Sequence, residues 1–502
     1  MMKKISLSAI LLSALCALGQ QQPGAPGDSK QLPSKVERLN RAPVSNEVLK
    51  VKLPRPVEAT LPNGLTLLIL EQHRLPTIQC NLWIKNGTIS DPKDIPGLAS
   101  FTADLLREGT GKRNSTQIAS ELDEMGATFN ADASFGENLT TVSANGLSQS
   151  ADKLLDMMSD IVLNPSFPAD EIKKYVARER AGLIQLRSNP GFLARESFAR
   201  AIYGDFPAAI QAPTNDSLAK ATPETLKAFH DKYYAPNNAI LAIAGDVTQA
   251  QATELAKKYF GQWKNHPVPS AAAGDVHAPA KARTILVDRP DSVQANILAG
   301  GLSLRRTDPD FIALSLTNRI LGGGAAGRLF INLREEKGYT YGAYSGFSSH
   351  HFPGTFFANT EVRNAVTEGS LHELMKEMKR IRDEKVPQGE LDEAKRSIVA
   401  SFALSLENLG GIVSRWMTVK YYGLPIDYWD KYPDQIAKLD ADAVQRTAKK
   451  YIDLDHLQLV VVGDAKQIRK DVDKYGATEV FDTEGKVVPA KTEAAPAAAP
   501  SK

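Results

Sequence analysis

Residues 97–110 read GLASFTADLLREGT. Leu98, Phe101 and Leu105 recur at intervals of three and four, which puts their side chains on one face of an α-helix. Ser100, Asp104 and Arg107 share the opposite face, where Asp104 and Arg107 come within reach of a local ion pair. The pattern predicts a helix over 96–108 that buries one stripe and shows a polar one.

Outward from this helix the chain alternates hairpins and helices. Leu61-Pro62-Asn63-Gly64 is a hairpin turn signal joining apolar runs at 57–60 and 65–70. A further strand is predicted at 78–84, helices at 115–125, 148–162 and 168–185, and two strands, 128–134 and 138–144, between the 115–125 and 148–162 helices. Sheets interleaved with helices in this way form α+β layers. The same order recurs later. Lys232-Tyr233-Tyr234 leads through an apolar strand to Gly245-Asp246, and Lys450-Tyr451 leads through another to Gly463-Asp464. The span is twelve residues from Tyr233 to Gly245 and twelve from Tyr451 to Gly463, each preceded by a helix-patterned stretch, 223–230 and 441–449. Shared order at equal spacing indicates duplication. The expected fold class is α+β, with two homologous halves, 49–266 and 283–480, each a mostly antiparallel sheet covered by helices on one face. A small-residue and proline-rich linker at 267–282 joins them. A flexible lead-in at 20–48 and a disordered Ala/Pro-rich tail at 481–502 flank them.

Residues 1–19, MMKKISLSAILLSALCALG, have a basic start, a short apolar run and small residues at 17 and 19, the pattern of a signal peptide. The expectation is an exported protein, periplasmic or secreted. Leu15 is bulky where a lipoprotein needs a small residue before Cys16, which argues against anchoring there. No other stretch approaches 18 consecutive apolar residues, so no transmembrane segment is expected in the mature chain. The 502 residues are 42% hydrophobic and 24% charged, an ordinary globular composition. Net charge is +2, and the leader carries two of the lysines, so the remainder is neutral and no nucleic-acid partner is expected. Two cysteines build no disulfide framework; Cys80, in an apolar strand, is read as a packed core thiol. Eight histidines bound any zinc site. No H-x-x-E-H, H-E-x-x-H or H-x-H occurs, and His350-His351 are adjacent, so they share no helix face.

Gly97, Leu98, Ala99, Phe101, Leu105, Gly109 and Thr110 give the first helix its resemblance to a known signature. The segment resembles that of the pitrilysin/insulinase family of zinc peptidases, the inverzincins, of form G-L-A-H-F-L-E-H-M-x-F-x-G-T. In this resemblance the family's two histidines fall on Ser100 and Asp104 and its catalytic glutamate on Ala103. Histidines at i and i+4 grip one zinc, and the glutamate activates the metal-bound water. Ser100 is a poor ligand and Ala103 takes no proton. The family's third ligand is a glutamate on a later helix, matched by Glu179, seventy-five residues after Asp104. Asp104 and Glu179 without a histidine are weak candidates, so no metal is expected on this chain.

The second half carries Leu321-Gly322-Gly323-Gly324, Arg328-Leu329-Phe330 and LREEKGYTYGAYSG at 333–346. This is similar to the family's C-terminal motif, G-G-x-x-S-R-L-F-x-x-[LV]-R-E-x-x-G-x-x-Y. The resemblance assigns Arg334 and Tyr341, seven residues apart, to substrate and transition-state binding. A guanidinium and a phenol are both donors suited to developing negative charge. On residue types alone, Arg334 pairs with Glu335 or Glu336 and Tyr341 packs on a sheet. No Lys-Ser/Thr follows the glycine run, so it is read as a turn allowing close approach rather than a phosphate loop.

The resemblance spans about 57–464 and includes Tyr234-x-Pro236-Asn237-Asn238. It implies a chain forming half of a clamshell. Its implied role is the non-catalytic, substrate-binding subunit of a heterodimeric zinc metallopeptidase. A homologous subunit with an intact H-x-x-E-H motif would hold the zinc and share unfolded peptide substrates. The alternatives are a peptide-binding or scaffold protein without proteolytic role, and a stand-alone metalloendopeptidase with an atypical metal site around Asp104 and Glu179.

Overall fold

The computed structural model describes residues 51–270 and 275–488. The expected leader, 1–19, and lead-in, 20–48, lie outside them, as do residues 489–502 of the expected tail. Strands β1 (Val57–Thr60), β2 (Thr66–Glu71), β3 (Thr77–Ile84), β4 (Thr128–Asp132), β5 (Thr140–Leu147) and β6 (Ala239–Gly245) form one sheet, ordered β1-β2-β6-β3-β5-β4. Strands β7 (Arg283–Asp288), β8 (Gln294–Leu302), β9 (Thr340–Phe347), β10 (Thr355–Arg363), β11 (Gln458–Gly463) and β12 (Thr478–Phe481) form a second, ordered β12-β7-β11-β8-β10-β9. Apart from the edge strands β1 and β12 the two orders are the same. In the first, β6 inserts between β2 and β3; in the second, β11 inserts between β7 and β8; each is parallel to the first neighbour and antiparallel to the second. These inserted strands, β6 and β11, are the ones that end in the two Gly-Asp pairs. The duplication read from spacing is therefore a duplication of topology. The halves differ at one edge: β1 folds back on β2 as the Asn63-Gly64 hairpin, whereas β12 runs parallel to β7. Beyond Phe481 the chain turns and the Val488 N–H donates to the Val480 carbonyl at 2.8 Å, so ordered structure continues to 488, past the tail boundary expected at 481.

The helices of the first half are α1 (Leu98–Leu105), α2 (Ser115–Glu124), α3 (Ala151–Leu163), α4 (Ala169–Ser188), α5 (Pro190–Tyr203), α6 (Asn215–Ala219), α7 (Pro223–Tyr233) and α8 (Gln249–Phe260). Those of the second are α9 (Phe311–Leu321), α10 (Arg328–Phe330), α11 (Thr367–Asp383), α12 (Gln388–Leu404), α13 (Leu409–Tyr422), α14 (Tyr428–Lys438), α15 (Ala441–Tyr451) and α16 (Ala465–Val472). Most pack on one face of their own sheet. Strand β3 shows why: its residues alternate between half-exposed and buried, with Ile78, Cys80, Leu82 and Ile84 turned into the core beside Leu98, Phe101 and Leu105 of α1. Cys80 is a free, fully buried thiol there, as its setting predicts. No single described helix is long and apolar enough to cross a membrane.

Strands β6 (AILAIAG) and β11 (QLVVVG) do not alternate; every residue in them is buried. A strand apolar on both faces needs cover on both. The second cover comes from the other half. Helix α13, from the second half, lays Ile412, Val413, Trp416 and Met417 on Leu68, Leu70, Ile240 and Ala242 of the first sheet. Helix α5, from the first half, lays Phe192, Leu193, Phe198 and Ile202 on Ile285, Val287, Val460 and Val462 of the second. The exchange is reciprocal, and the two helices are built alike. Each has fourteen residues between an asparagine N-cap, Asn189 or Asn408, and a terminating glycine, Gly204 or Gly423. Both glycines have positive φ, 55° and 65°, a conformation that stops a helix and favours glycine. The linker region 267–282 thus separates the sheets in sequence but not the cores in space, and the described residues pack as one compact unit.

Trp416 is the largest fully buried side chain of the exchange, and its indole N–H donates to the Pro54 carbonyl at 2.8 Å. Trp416→Ala is expected to cost about 3–5 kcal/mol in urea unfolding. Because each half completes the other's core, tryptophan fluorescence and far-ultraviolet circular dichroism should report one coincident transition in both proteins. Two resolved transitions in the wild-type chain would show that the halves fold independently.

Candidate functional site

Helix α1 sits where the opening motif predicts it. Its start is fixed by Gly97, at φ +96°, and by Asp91, whose carboxylate accepts from the Gly97 N–H at 2.6 Å and the Ala99 N–H at 2.9 Å. Burial pushes the Asp91 carboxyl up to about 7, against the pull of those hydrogen bonds. Asp91 is a residue that reading for the motif alone passes over; an aspartate shortly before a helix start is the signal that finds it.

Ala103 is wholly buried and Ser100 and Asp104 are half-buried. The Asp104 carboxylate accepts from the Tyr175 hydroxyl of α4 at 2.7 Å, so its partner is this phenol and not Arg107, which is exposed. Tyr175 also meets Phe101 edge-on, their ring centres 5.9 Å apart. Glu179 stands one turn further along α4, beside Arg178 at 3.6 Å. Burial raises the Asp104 carboxyl to about 6, opposed by the Tyr175 hydrogen bond and reinforced by the negative charges of Glu179 and Asp132. The structure therefore brings Asp104 and Glu179 near each other. The donor set does not fit a zinc peptidase site. It holds no imidazole, Asp104 is engaged by a phenol, Glu179 lies beside an arginine, and Ala103 offers no base. Among the described residues no group of three or more His, Cys, Asp or Glu side chains is arranged to hold a metal ion. His350 and His351 go separate ways: His350 Nδ1 is 3.0 Å from Glu137, and the His351 ring meets Tyr421.

The second candidate site is built on α10 and the single turn of π-helix that follows it, Ile331–Glu336. Such turns are rare and are found frequently at functional sites. Two side chains tie the segment down. Arg328, buried, donates from Nε and Nη2 to the two Glu390 oxygens at 2.7 and 2.8 Å. Asn332, also buried, donates to Glu373 and Glu377 of α11, both at 2.9 Å. Burial works against the Glu373 carboxylate, but hydrogen bonds from Lys376 and Asn332 and nearby lysine charge hold it down to about 2. Gly322 lies against the backbone of Ser345 in β9, where any side chain would collide, so the glycine run is the close-approach turn expected of it.

With Arg328 and Asn332 turned inward, Arg334 turns outward. Its side chain is half-exposed, pairs with Glu335 and lies with its guanidinium carbon 5.0 Å from the centre of the Phe330 ring. Tyr341 is the second residue of β9, the edge strand of the second sheet, and is 91% exposed. The ion pair with Glu335 is the one residue type alone suggests; sheet packing of Tyr341 is not what the structure has. Both side chains present donors to solvent, Arg334 from this anchored segment and Tyr341 from the edge strand.

Comparison with known proteins accords with these features. A family model described as Insulinase (Peptidase family M16) matches residues 67–203, and one described as Peptidase M16 inactive domain matches residues 220–398. An uncharacterized zinc protease, YmxG, of Bacillus subtilis is 24% identical over 71% of this chain and 86% of its own length. A protein of Helicobacter pylori named a non-peptidase homolog, YmxG, is 24% identical over 79% of this chain and 91% of its own. Among solved structures, a peptidase M16 inactive domain from Pseudomonas fluorescens superposes with a TM-score of 0.76 at 29% identity, covering 81% of this chain and 98% of that one. A Helicobacter pylori protease has the same fold, with a TM-score of 0.76 at 21% identity over 82% of this chain and all of that one.

Asp104 gives a pH-dependent test. Its carboxyl is raised in the folded chain, so its contribution to stability is fully present below the ordinary carboxylate value and lost as pH rises through about 6. Asp104→Asn keeps an acceptor for Tyr175 and removes the buried charge. The variant should match wild type near pH 4 and exceed it at pH 8 by about 2 kcal/mol. Thermal unfolding at the two pH values measures this; equal stability at pH 8 would show that the carboxylate carries no burden there.

Proposed function

The chain belongs to peptidase family M16, the insulinase family, and on that premise we propose that it is the non-catalytic, substrate-binding subunit of a two-chain zinc metallopeptidase. The observation that carries this reading is Tyr341, 91% exposed on the edge strand β9, seven residues after an outward-facing Arg334 on a segment anchored by a buried ion pair and buried hydrogen bonds. Two donors are held ready, while the chain's own α1 offers neither base nor imidazole to work with them. The partner in this reading is a homologous chain with an intact H-x-x-E-H helix, outside the cytoplasm as the leader-like residues 1–19 suggest. Arg334 would donate N–H groups, and Tyr341 its O–H, to the peptide oxygen that gains negative charge during cleavage at the partner's zinc. The shared substrate is an unfolded peptide.

A second reading, a peptide-binding or scaffold protein with no proteolytic role, is favoured by one observation: Arg334 is paired with Glu335. The two readings separate in one experiment. The chain is co-purified with an H-x-x-E-H relative from the same cells, and cleavage of an unstructured peptide is followed. Arg334→Ala and Tyr341→Phe each alter an outward-facing side chain, so folding should survive, and kcat/KM of the pair should fall by about 100-fold. Full activity of both variants overturns the donor role and leaves the scaffold reading.

Metal analysis of the isolated chain tests the remaining alternative. Far less than one zinc per chain is expected. Stoichiometric zinc with chelator-sensitive peptidase activity would make it a stand-alone enzyme.

A further inference from the structure

Tyr341 owes its exposure to an irregularity in its own strand. From Phe347 back to Ala343, β9 pairs residue for residue with Phe356 to Thr360 of β10. Beyond that the ladder slips: Val362 pairs with Thr340, so Tyr341 and Gly342 together oppose the single residue Glu361. Two residues against one is a β-bulge, a feature that re-aims side chains and is common at sheet edges. Its effect here follows from parity. Side chains on a regular strand alternate, so Tyr341 would share the core face with Ala343 and Ser345, both buried. The bulge breaks the alternation. Thr340 takes the place opposite Val362, which belongs to the core, and Tyr341 is left 91% exposed.

Threonine hydroxyls hold this bulge. The Thr340 hydroxyl donates across it to the Glu361 carbonyl at 2.7 Å and accepts from the Gly342 N–H at 3.1 Å. The Thr360 hydroxyl, on a buried side chain of β10, donates to the Gly342 carbonyl at 3.0 Å. Both backbone groups of Gly342 thus bond to side chains where a regular strand would use the ladder. Gly342 also leaves room for the Tyr344 ring, which would come within 2.6 Å of a methyl group there. That ring meets Phe330, their centres 5.6 Å apart, and the Arg334 guanidinium lies over Phe330. The bulge and the outward arginine are joined through two aromatic rings. We propose that Thr340 and Thr360 are positioning residues: their hydroxyls hold the Tyr341–Gly342 bulge and so keep the Tyr341 phenol turned off the core face and out to substrate. This role deepens the substrate-binding reading above and rests on it for the use of the phenol, whereas the clamp itself does not.

Two measurements test the clamp and its use separately. The first takes the full chain alone, with 3-fluorotyrosine at position 341, and reads it by fluorine NMR beside a soluble gadolinium chelate. The wild-type ring should give one resonance that the chelate relaxes strongly. Thr340→Val with Thr360→Val keeps the side-chain shapes and removes both hydroxyls; it should shift that resonance or add a second, less relaxed one. Thr340 is half-buried, so Thr340→Val alone gives the same readout without touching the core. Thr340→Ser with Thr360→Ser keeps the hydroxyls and should restore the wild-type signal. Valine variants indistinguishable from wild type overturn the clamp. The second measurement pairs the chain with its H-x-x-E-H relative and follows peptide cleavage. Thr360→Val should lower kcat by about tenfold with KM unchanged, and should add no further loss to Tyr341→Phe, because it acts through that hydroxyl. Losses that multiply overturn the positioning role. If Tyr341→Phe is without effect while the fluorine signal of the valine variants moves, the clamp stands and the donor role of Tyr341 falls.

Discussion

The structure depends on the reciprocal cover of two strands. Strands β6 and β11 are apolar on both faces, and one face of each can be buried only by a helix from the opposite half. Leu68, Leu70 and Ile240 would otherwise stand in water, as would Val287, Val460 and Val462. Burying such side chains is worth about 1.5–3 kcal/mol each, so the exchange of α5 and α13 outweighs any single polar contact between the halves. It fixes how the sheets are placed, and it makes α5 a structural strap.

The same logic explains how a signature helix keeps its place after its chemistry has gone. Leu98, Phe101 and Leu105 belong to the first core, and Asp91 holds the helix start, so the position of α1 does not rely on any metal. Of the four positions to which the motif assigns ligands and base, Ser100, Ala103, Asp104 and Glu179, the last three are satisfied locally. Ala103 packs, Asp104 accepts from Tyr175, and Glu179 lies beside Arg178. What is left is a half-buried carboxyl that desolvation raises to about 6, a pH-sensitive weak point rather than a metal centre.

In the second half, burial sorts the motif residues by task. Arg328 and Asn332 are inside, where their charge-assisted hydrogen bonds are strong and leave little freedom. Arg334, carried by that anchored turn, and Tyr341, on the edge strand that follows it, are outside. A donor on a rigid support loses little entropy when it meets a substrate, which is the physical condition for useful electrostatic stabilisation.

Much of this was legible in the residues. The strand and helix positions, the hairpin at Asn63-Gly64, the buried Cys80 and the duplication all follow from local periodicity and spacing, which depend on nearest neighbours along the chain. The loss of the zinc ligands follows from residue identity at 100, 103 and 104. The unbroken apolar runs of β6 and β11 and the paired Asn–Gly bracketing of α5 and α13 were also in the sequence, but they acquire meaning only once each helix is seen on the other half's sheet. Partner choice was not legible: that Asp104 meets Tyr175 and not Arg107, and that Tyr341 faces solvent, depend on contacts across long stretches of chain. By itself the sequence determined the elements, their repetition and the missing chemistry, because these are set by periodicity and side-chain type. The tertiary structure alone decided the helix exchange and the solvent-facing donors, because burial is a property of which distant surfaces meet.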